Sequence, residues 1–204
     1  MSILVLISGS GSNLQALIDA KLPIKHVVSS SPTAYGLERA QKAGIPTSVH
    51  SLQTYYGDLP KTAKGERKAA RSQFNKDLST KVLELKPSLV VCAGWMLILA
   101  PSFLDPLAKA NVSIINLHPA LPGAFPGINA IDRAWEAGQK GELSKGGVMI
   151  HYVIAAVDEG KPLVVKEIDL RKDETLDEYT ARVHQIEHIA IVEGTRKALE
   201  AATN

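Results

Sequence analysis

The chain has 204 residues and is 45% hydrophobic, so it can bury a sizeable core, and we expect one compact domain. Its formal net charge is +2 and its charges are mixed, which argues against a dedicated nucleic-acid or membrane surface but allows a small anionic substrate. Cys92 is the single cysteine of the sequence, so an internal disulfide and a cysteine-based zinc site are excluded, and it lies in an apolar run. Without a secretory signal or a membrane-length apolar run, the sequence predicts a cytoplasmic protein.

The chain begins with the pattern of a strand, a glycine-rich turn and a helix. The apolar run Ile3–Ile7 is followed by residues 8–13, Ser-Gly-Ser-Gly-Ser-Asn, and then by helical spacing in which Ser12 or Asn13 is the expected cap. Backbone N–H groups at such a helix start suit a phosphate. A dinucleotide fingerprint would need glycine at Leu14, so a phosphate is favoured, with a tight turn that binds nothing as an equal alternative.

Strand and helix patterns alternate through the first half of the chain. Strands are predicted at Val27–Ser29, Pro46–His50 and Leu89–Ala93, and helices at Tyr35–Lys42 and Phe74–Leu85. This alternation is typical of parallel strands connected by helices. The sequence therefore predicts an α/β fold with a mostly parallel central sheet and helices on both faces.

A basic stretch lies between residues 59 and 72, where five cations stand against one anion. They are Lys61, Lys64, Arg67, Lys68 and Arg71, against Glu66. Such a run is usually a solvated helix face or a loop. The functional alternative is attraction of an anionic substrate or cofactor tail.

Residues 112–118 form an apolar strand that carries two polar side chains near its end. Alternation in a strand places Asn116 and His118 on one face. Pro119 cannot continue a central strand, so the pair should lie at the carboxyl end, where open α/β sheets bind ligands. The alternative is a strand end whose polar groups only bond to the backbone of a loop.

The second half continues with a helix at Asn129–Ala137 and strands at Gly147–Val157 and Pro162–Leu170. The first of these strands contains His151, for which a hydrogen-bonded role inside the sheet is favoured over a chemical one. Asp158 begins the turn between the two strands, a position where aspartate is common for local reasons.

The final helix begins with a capping box formed by Thr175 and Glu178 and extends to Ala201. Glu187 and His188 lie on this helix and are expected to form a surface pair.

Asparagine, histidine and aspartate, without a serine or cysteine in a nucleophilic setting, suggest an enzyme that transfers an acyl group directly to an amine. The Asn116 amide and a charged His118 would stabilise the oxyanion of a tetrahedral intermediate. Asp158 would orient the histidine.

Four motifs resemble the folate-dependent formyltransferases, and within them the group that acts on glycinamide ribonucleotide. They occupy residues 7–15, 35–40, 116–119 and 158–162, and the resemblance extends from Ile3 to about Glu193. It implies a Rossmann-like formyltransferase fold. It also implies transfer of the formyl group from 10-formyltetrahydrofolate to the glycine amine of the ribonucleotide, a step of purine biosynthesis, without a metal.

The resemblance also implies a set of site residues. The catalytic residues would be Asn116, His118 and Asp158. The phosphate would be held by Gly11, Ser12 and Asn13, and the ribose by Glu187. The folate would be bound by Met96, Leu97, Ile98, Leu99, Ala155, Ala156 and Val157.

By this interpretation residues 1–204 form one formyltransferase domain, with a phosphate-binding half of about 1–110 and a catalytic and folate-binding half of about 111–204. We expect a monomer or weak homodimer that acts on small molecules, with no nucleic-acid or membrane partner. The non-enzymatic alternative is a folate- or nucleotide-binding module of the same fold, which the presence of all three polar residues disfavours. Relatives that act on methionyl-tRNA or hydrolyse formyl-folate carry an additional domain, which we do not expect beside this one.

Overall fold

The structure, a computed structural model, describes residues 1–202 in two compact units, the second of which begins at Ile114. The first unit contains four strands: β1 (Ile3–Ile7), β2 (Ile24–Ser29), β3 (Thr47–Val49) and β4 (Leu89–Cys92). It also contains five helices: α1 (Ser12–Asp19), α2 (Gly36–Lys42), α3 (Leu52–Tyr56), α4 (Lys64–Glu84) and α5 (Pro101–Lys109).

The four strands of the first unit are parallel and lie in the order β3-β2-β1-β4. Every residue of β1 and β4 is buried, as expected for parallel strands that are covered on both faces and therefore read as continuous apolar runs. This order matches the first four positions of the Rossmann strand order 3-2-1-4-5-6, in which ligands bind beyond the carboxyl ends of the strands.

The second unit contains an antiparallel arrangement. Its strands are β5 (Ser113–His118, of which Ser113 closes the first unit), β6 (Lys145–Tyr152) and β7 (Pro162–Asp169), and its helices are α6 (Ala130–Gln139) and α7 (Leu176–Ala201). Strand β6 pairs with both β5 and β7. Helix α7 packs closely on β6, since a Cβ at Gly194 would lie 2.6 Å from Cγ2 of Ile150. No helix within residues 1–202 is both long and apolar enough to cross a membrane.

The fold class is confirmed as α/β and Rossmann-like, with a mostly parallel sheet. Strand β5 ends at His118, as Pro119 predicts. The capping box is also present, because the Glu178 N–H donates to Thr175 Oγ1 and the Thr175 N–H donates to the Glu178 carboxylate. The single-domain prediction, with halves that meet near residue 110, stays a prediction.

Helix α4 begins at Lys64, ten residues before the predicted start at Phe74. The basic stretch therefore lies largely on a helix, and Arg67 stacks on the Tyr56 ring at 3.6 Å and donates to the Leu59 carbonyl. Its first turns lack apolar periodicity, but lysine, arginine, glutamate and alanine are good helix formers. Helices α3 and α5 are absent from the sequence-based predictions.

Strand β6 ends at Tyr152, so the predicted strand to Val157 is wrong. The partner strand β7 begins at Pro162, opposite His151, which leaves the residues after Tyr152 without a continuing partner on that side. The chain instead forms a loop that carries Asp158.

Candidate active site

The pairing of β5 with β6 places three polar side chains on neighbouring strands. Asn116 lies directly opposite His151, and His118 lies opposite Met149. Side chains directly opposite each other in an antiparallel pair are close enough to interact. His118 is 3% exposed and His151 2%, so both imidazoles are buried.

Asp158 lies in the loop after β6, with a positive φ of 59° that is uncommon for a residue other than glycine. Its Oδ2 accepts the Gly127 N–H at 3.0 Å and lies 3.5 Å from His118 Nδ1. Its Oδ1 lies 3.5 Å from both Asn116 Nδ2 and His151 Nε2. The structure thus brings the three predicted catalytic residues together around one carboxylate, while their catalytic roles stay a prediction.

A close backbone approach holds Asp158 in place. A Cβ at Gly160 would lie 1.6 Å from the Tyr152 carbonyl oxygen, so only glycine fits there. The Tyr152 N–H donates to the Lys161 carbonyl at 3.0 Å. The end of the turn that follows Asp158 is therefore fixed against the end of β6.

The surroundings of Asp158 favour its charged form. Burial by itself raises the pKa of its carboxyl group, but the neighbouring His151 and His118 imidazoles and the Gly127 N–H outweigh burial and lower that pKa below its ordinary value. The carboxylate is consequently an acceptor at neutral pH.

The loop after β5 contacts His118 from the other side. His118 Nε2 donates to the Ala124 carbonyl at 3.3 Å, which leaves Nδ1 directed at Asp158. Arg133 donates to the Pro126 carbonyl at 3.0 Å and lies over the Phe125 ring. These contacts fix both the loop and the imidazole.

His151 contacts two of the three predicted catalytic residues, although it is absent from the predicted site. The favoured interpretation, a hydrogen-bonded residue inside the sheet, is correct as far as it goes. The signal that would have added His151 to the site is the register of β5 against β6, and no local pattern in the sequence contains it.

The predicted phosphate turn leads into α1, but its capping differs from the prediction. Neither Ser12 nor Asn13 is the cap: Gly11 is the N-cap, with a left-handed φ of 71°, and Ser12 begins the helix. The reason is packing, because a Cβ at Gly11 would lie only 2.5 Å from the Cα of Gly36. The Gln15 N–H donates to the Gly11 carbonyl at 2.9 Å and closes the first turn.

A cavity of about 140 Å³ lies over this turn, lined by residues 8–13 together with Ala93, Gly94 and Met96. The first N–H groups of a helix have no carbonyl partner within the helix and attract anions. Arg39 adds a positive charge beside the turn, since its Nε donates to the Ser10 carbonyl at 2.9 Å. Phosphate binding by Gly11, Ser12 and Asn13 stays a prediction.

Glu187 is only 6% exposed on α7, so the expectation of a surface pair with His188 is wrong. The surface pair was expected because charged residues on a helix usually face solvent. Helix α7, however, buries the face that carries Glu187 against the strands. A buried carboxylate is compatible with binding of ribose hydroxyls, a role that stays a prediction.

The predicted folate residues lie in two apolar segments. In the first unit Met96 is 76% exposed, Ile98 is also exposed, Leu97 is half-buried and Leu99 is buried. In the second unit all three residues from Ala155 to Val157 are exposed. Folate binding by these residues stays a prediction. Within residues 1–202, no group of three or more histidine, cysteine or acidic side chains could hold a metal ion.

A family model described as formyl transferase matches residues 1–195. A Saccharomyces cerevisiae protein named phosphoribosylglycinamide formyltransferase is 52% identical, with 97% of each chain covered. The Schizosaccharomyces pombe protein of the same name is 48% identical over the same share of both chains. The crystal structure of phosphoribosylglycinamide formyltransferase from Streptococcus pneumoniae superposes with a TM-score of 0.82 at 29% identity, covering 97% of this chain and 98% of that one.

Proposed function

The chain belongs to the formyl transferase family, and we propose that Asn116, His118 and Asp158 perform its chemistry. The reaction transfers the formyl group of 10-formyltetrahydrofolate to the glycine amine of 5-phosphoribosylglycinamide. The products are the N-formyl ribonucleotide and tetrahydrofolate, and the step belongs to purine biosynthesis.

The observation that supports these roles is one half-buried carboxylate, Asp158, within 3.5 Å of an amide and two imidazoles at the end of a strand. The amine can attack the formyl carbon directly, so a covalent enzyme intermediate is not needed. A bond from the amine nitrogen to that carbon forms, and negative charge develops on the formyl oxygen. The bond from the carbon to the folate nitrogen then breaks, while the amine loses one proton and the folate nitrogen gains one.

Each of the three residues would serve a different step of this reaction. The Asn116 amide would donate to the oxygen as it becomes charged, and a protonated His118 would stabilise the same charge. Asp158 would hold the His118 ring through Nδ1 and accept a proton from the amine directly or through water. His118 is already fixed through Nε2, so the ring is pre-organised for that task.

The remaining assignments are proposals about binding. Gly11, Ser12 and Asn13 would hold the phosphate at the start of α1, and Glu187 would bind the ribose. The segments at residues 96–99 and 155–157 would bind the folate through their apolar side chains. We also propose that the enzyme is cytoplasmic and that it is a monomer or weak homodimer. Sedimentation of the purified protein would measure its oligomeric state.

An absorbance assay for tetrahydrofolate release tests the reaction. With both substrates present, release should follow the concentration of the ribonucleotide and stop when it is omitted. Release at the same rate without the amine would identify a hydrolase and overturn the proposal.

The variant Ser12→Asp tests the phosphate site separately. Aspartate in the first turn of a helix stabilises that helix, so folding should be retained, while the added charge repels a phosphate. We expect KM for the ribonucleotide to rise by roughly 10-fold or more and KM for the folate to stay unchanged. Ser12→Ala is the matched control, and an equal KM in both variants would remove this turn from the phosphate site.

A further inference from the structure

We propose that His151 is a positioning residue that holds the Asn116 amide with its nitrogen directed toward Asp158. The inference rests on the proposed function of Asn116 as a donor to the developing oxyanion. It starts from a pair of contacts that together determine which nitrogen of His151 carries the proton.

The first contact joins His151 to its own strand. Its Nδ1 lies 2.9 Å from the Tyr152 carbonyl oxygen, which can only accept a hydrogen bond. Nδ1 must therefore be the protonated nitrogen. A neutral imidazole has one donor and one acceptor, so Nε2 then carries a lone pair.

The second contact joins that lone pair to Asn116. His151 Nε2 lies 3.2 Å from Asn116 Nδ2, and the amide nitrogen can only donate. One N–H of Asn116 is thus taken up by His151, and the other is free to point toward Asp158 Oδ1, at 3.5 Å, or toward a substrate oxygen in its place. The long distance to Asp158 makes that second N–H the weakly held one.

The imidazole itself cannot turn easily, because it is buried and its acceptor is fixed. A Cβ at Gly160 would lie 1.6 Å from the Tyr152 carbonyl oxygen and 3.2 Å from His151 Nδ1, so the turn covers both atoms. The ring orientation is therefore set by the backbone of β6 and of the turn that carries Asp158.

Loss of the Nε2 acceptor would release the amide. Asn116 could then rotate by half a turn and present its carbonyl oxygen, which would repel the negative oxygen that it is meant to stabilise. A proton on Nε2 would have the same effect on the amide, because Nε2 would donate to Asp158 and face a second donor in Asn116 Nδ2.

The tautomer can be measured directly in the unaltered protein. Long-range ¹H–¹⁵N NMR spectra at neutral pH distinguish a protonated Nδ1 from a protonated Nε2 through the ¹⁵N shifts of the ring. We expect His151 to be neutral with the proton on Nδ1. A proton on Nε2, alone or in addition, would overturn the proposal even if every variant failed to fold.

Two substitutions of His151 distinguish the role of Nε2 from that of Nδ1. In His151→Gln the amide reaches the position of Nε2 and can offer an acceptor oxygen, whereas in His151→Asn it reaches only the position of Nδ1. We expect His151→Gln to keep kcat within about 10-fold of the wild-type value and His151→Asn to lower it by roughly 10²–10³, the loss typical of one oxyanion donor. Equal losses in the two variants would overturn the proposal.

A double-mutant cycle with Asn116→Ala distinguishes positioning from a merely structural role. In that background no amide remains to be held, so His151→Asn should change kcat by less than about 3-fold. If Asn116→Ala lowers kcat and His151→Asn lowers it further by its full factor, His151 acts independently of Asn116 and the inference fails. If Asn116→Ala leaves kcat unchanged, the proposed function of Asn116 fails first.

Discussion

The substitution Asp158→Asn removes the charge at the centre of the candidate site and nearly preserves its shape. Both carboxylate oxygens accept in the native site, Oδ2 from the Gly127 N–H and Oδ1 from the Asn116 amide. An amide supplies only one acceptor oxygen. Its nitrogen must therefore face either the Gly127 N–H or the Asn116 amide nitrogen, donor against donor.

The distance between Asp158 and His118 determines how far kcat should fall in this variant. Unit charges 3.5 Å apart, the separation of Asp158 Oδ2 and His118 Nδ1, attract by roughly 5 kcal/mol at an effective dielectric constant of about 20, before desolvation costs. Since about 1.4 kcal/mol corresponds to a factor of ten in rate, the loss of this attraction to a charged His118 can lower the rate by at most roughly 3,000- to 4,000-fold. Desolvation costs reduce this value, and we expect kcat to fall by roughly 10²–10³.

The absorbance assay measures this loss, and KM for the ribonucleotide is the internal control, because the turn at Ser12 is not altered. A variant that keeps kcat within about 3-fold would show that Asp158 does not face a charged imidazole in the transition state. A large rise in KM with unchanged kcat would instead assign Asp158 to substrate binding.

The same variant has a pH signature in stability. The pKa of Asp158 in the fold lies below its ordinary value of 3.8, so the carboxylate contributes stability that is fully present above that value and is lost as pH falls through the lowered pKa. Urea unfolding should show a constant deficit for Asp158→Asn above about pH 5 and a smaller deficit below about pH 4. A stability deficit that grows as pH falls would contradict a lowered pKa for Asp158 in the fold.

The remaining predictions concern single contacts and are all measurable by urea unfolding, with kcat as a second readout. Gly11→Ala should destabilise the protein by at least about 2 kcal/mol, because Gly11 has a positive φ and its Cβ would lie 2.5 Å from Gly36 Cα. Gly9→Ala, where the new Cβ meets nothing within 4 Å, is the matched control and should stay within about 0.5 kcal/mol of the native value. Thr175→Ala should cost about 1 kcal/mol by removing the side-chain oxygen that caps α7, and an unchanged unfolding midpoint would show that the cap is dispensable. Gly160→Ala should lower kcat by roughly 10² by displacing the turn that carries Asp158, and native kcat would show that the turn tolerates a Cβ.

The parts of the site that the sequence predicts are those determined by neighbours along the chain. Alternation in β5 and the proline after it place Asn116 and His118 at a strand end, and the structure has β5 ending there. The capping box of α7 is likewise a contact between residues three positions apart. Such features need only a local pattern and one backbone conformation.

The parts that it does not predict depend on residues far apart in the chain. The pairing of Asn116 with His151 joins positions 35 residues apart and requires the register of an antiparallel pair. The N-cap of α1 is Gly11 rather than Ser12 because Gly36, 25 positions away, packs against it. Local propensity favours serine as a cap, and packing between helices decides otherwise.

Asp158 has two oxygens and four polar groups around it: a backbone N–H, an amide and two imidazoles. The Gly127 N–H is always available, whereas the donor capacity of His118 and His151 depends on where their protons lie. A proton on His151 Nδ1 leaves Oδ1 to the Asn116 amide, and His118 then faces Oδ2 beside the backbone donor. The two oxygens of Asp158 thereby acquire different partners. The partner of Oδ1 depends on the tautomer of His151, and that of Oδ2 depends on the loop that contains Gly127. Substitutions at His151 and at Gly127 should consequently alter different partners of the same carboxylate, and because they share that carboxylate, a double-mutant cycle on kcat should show coupling between them.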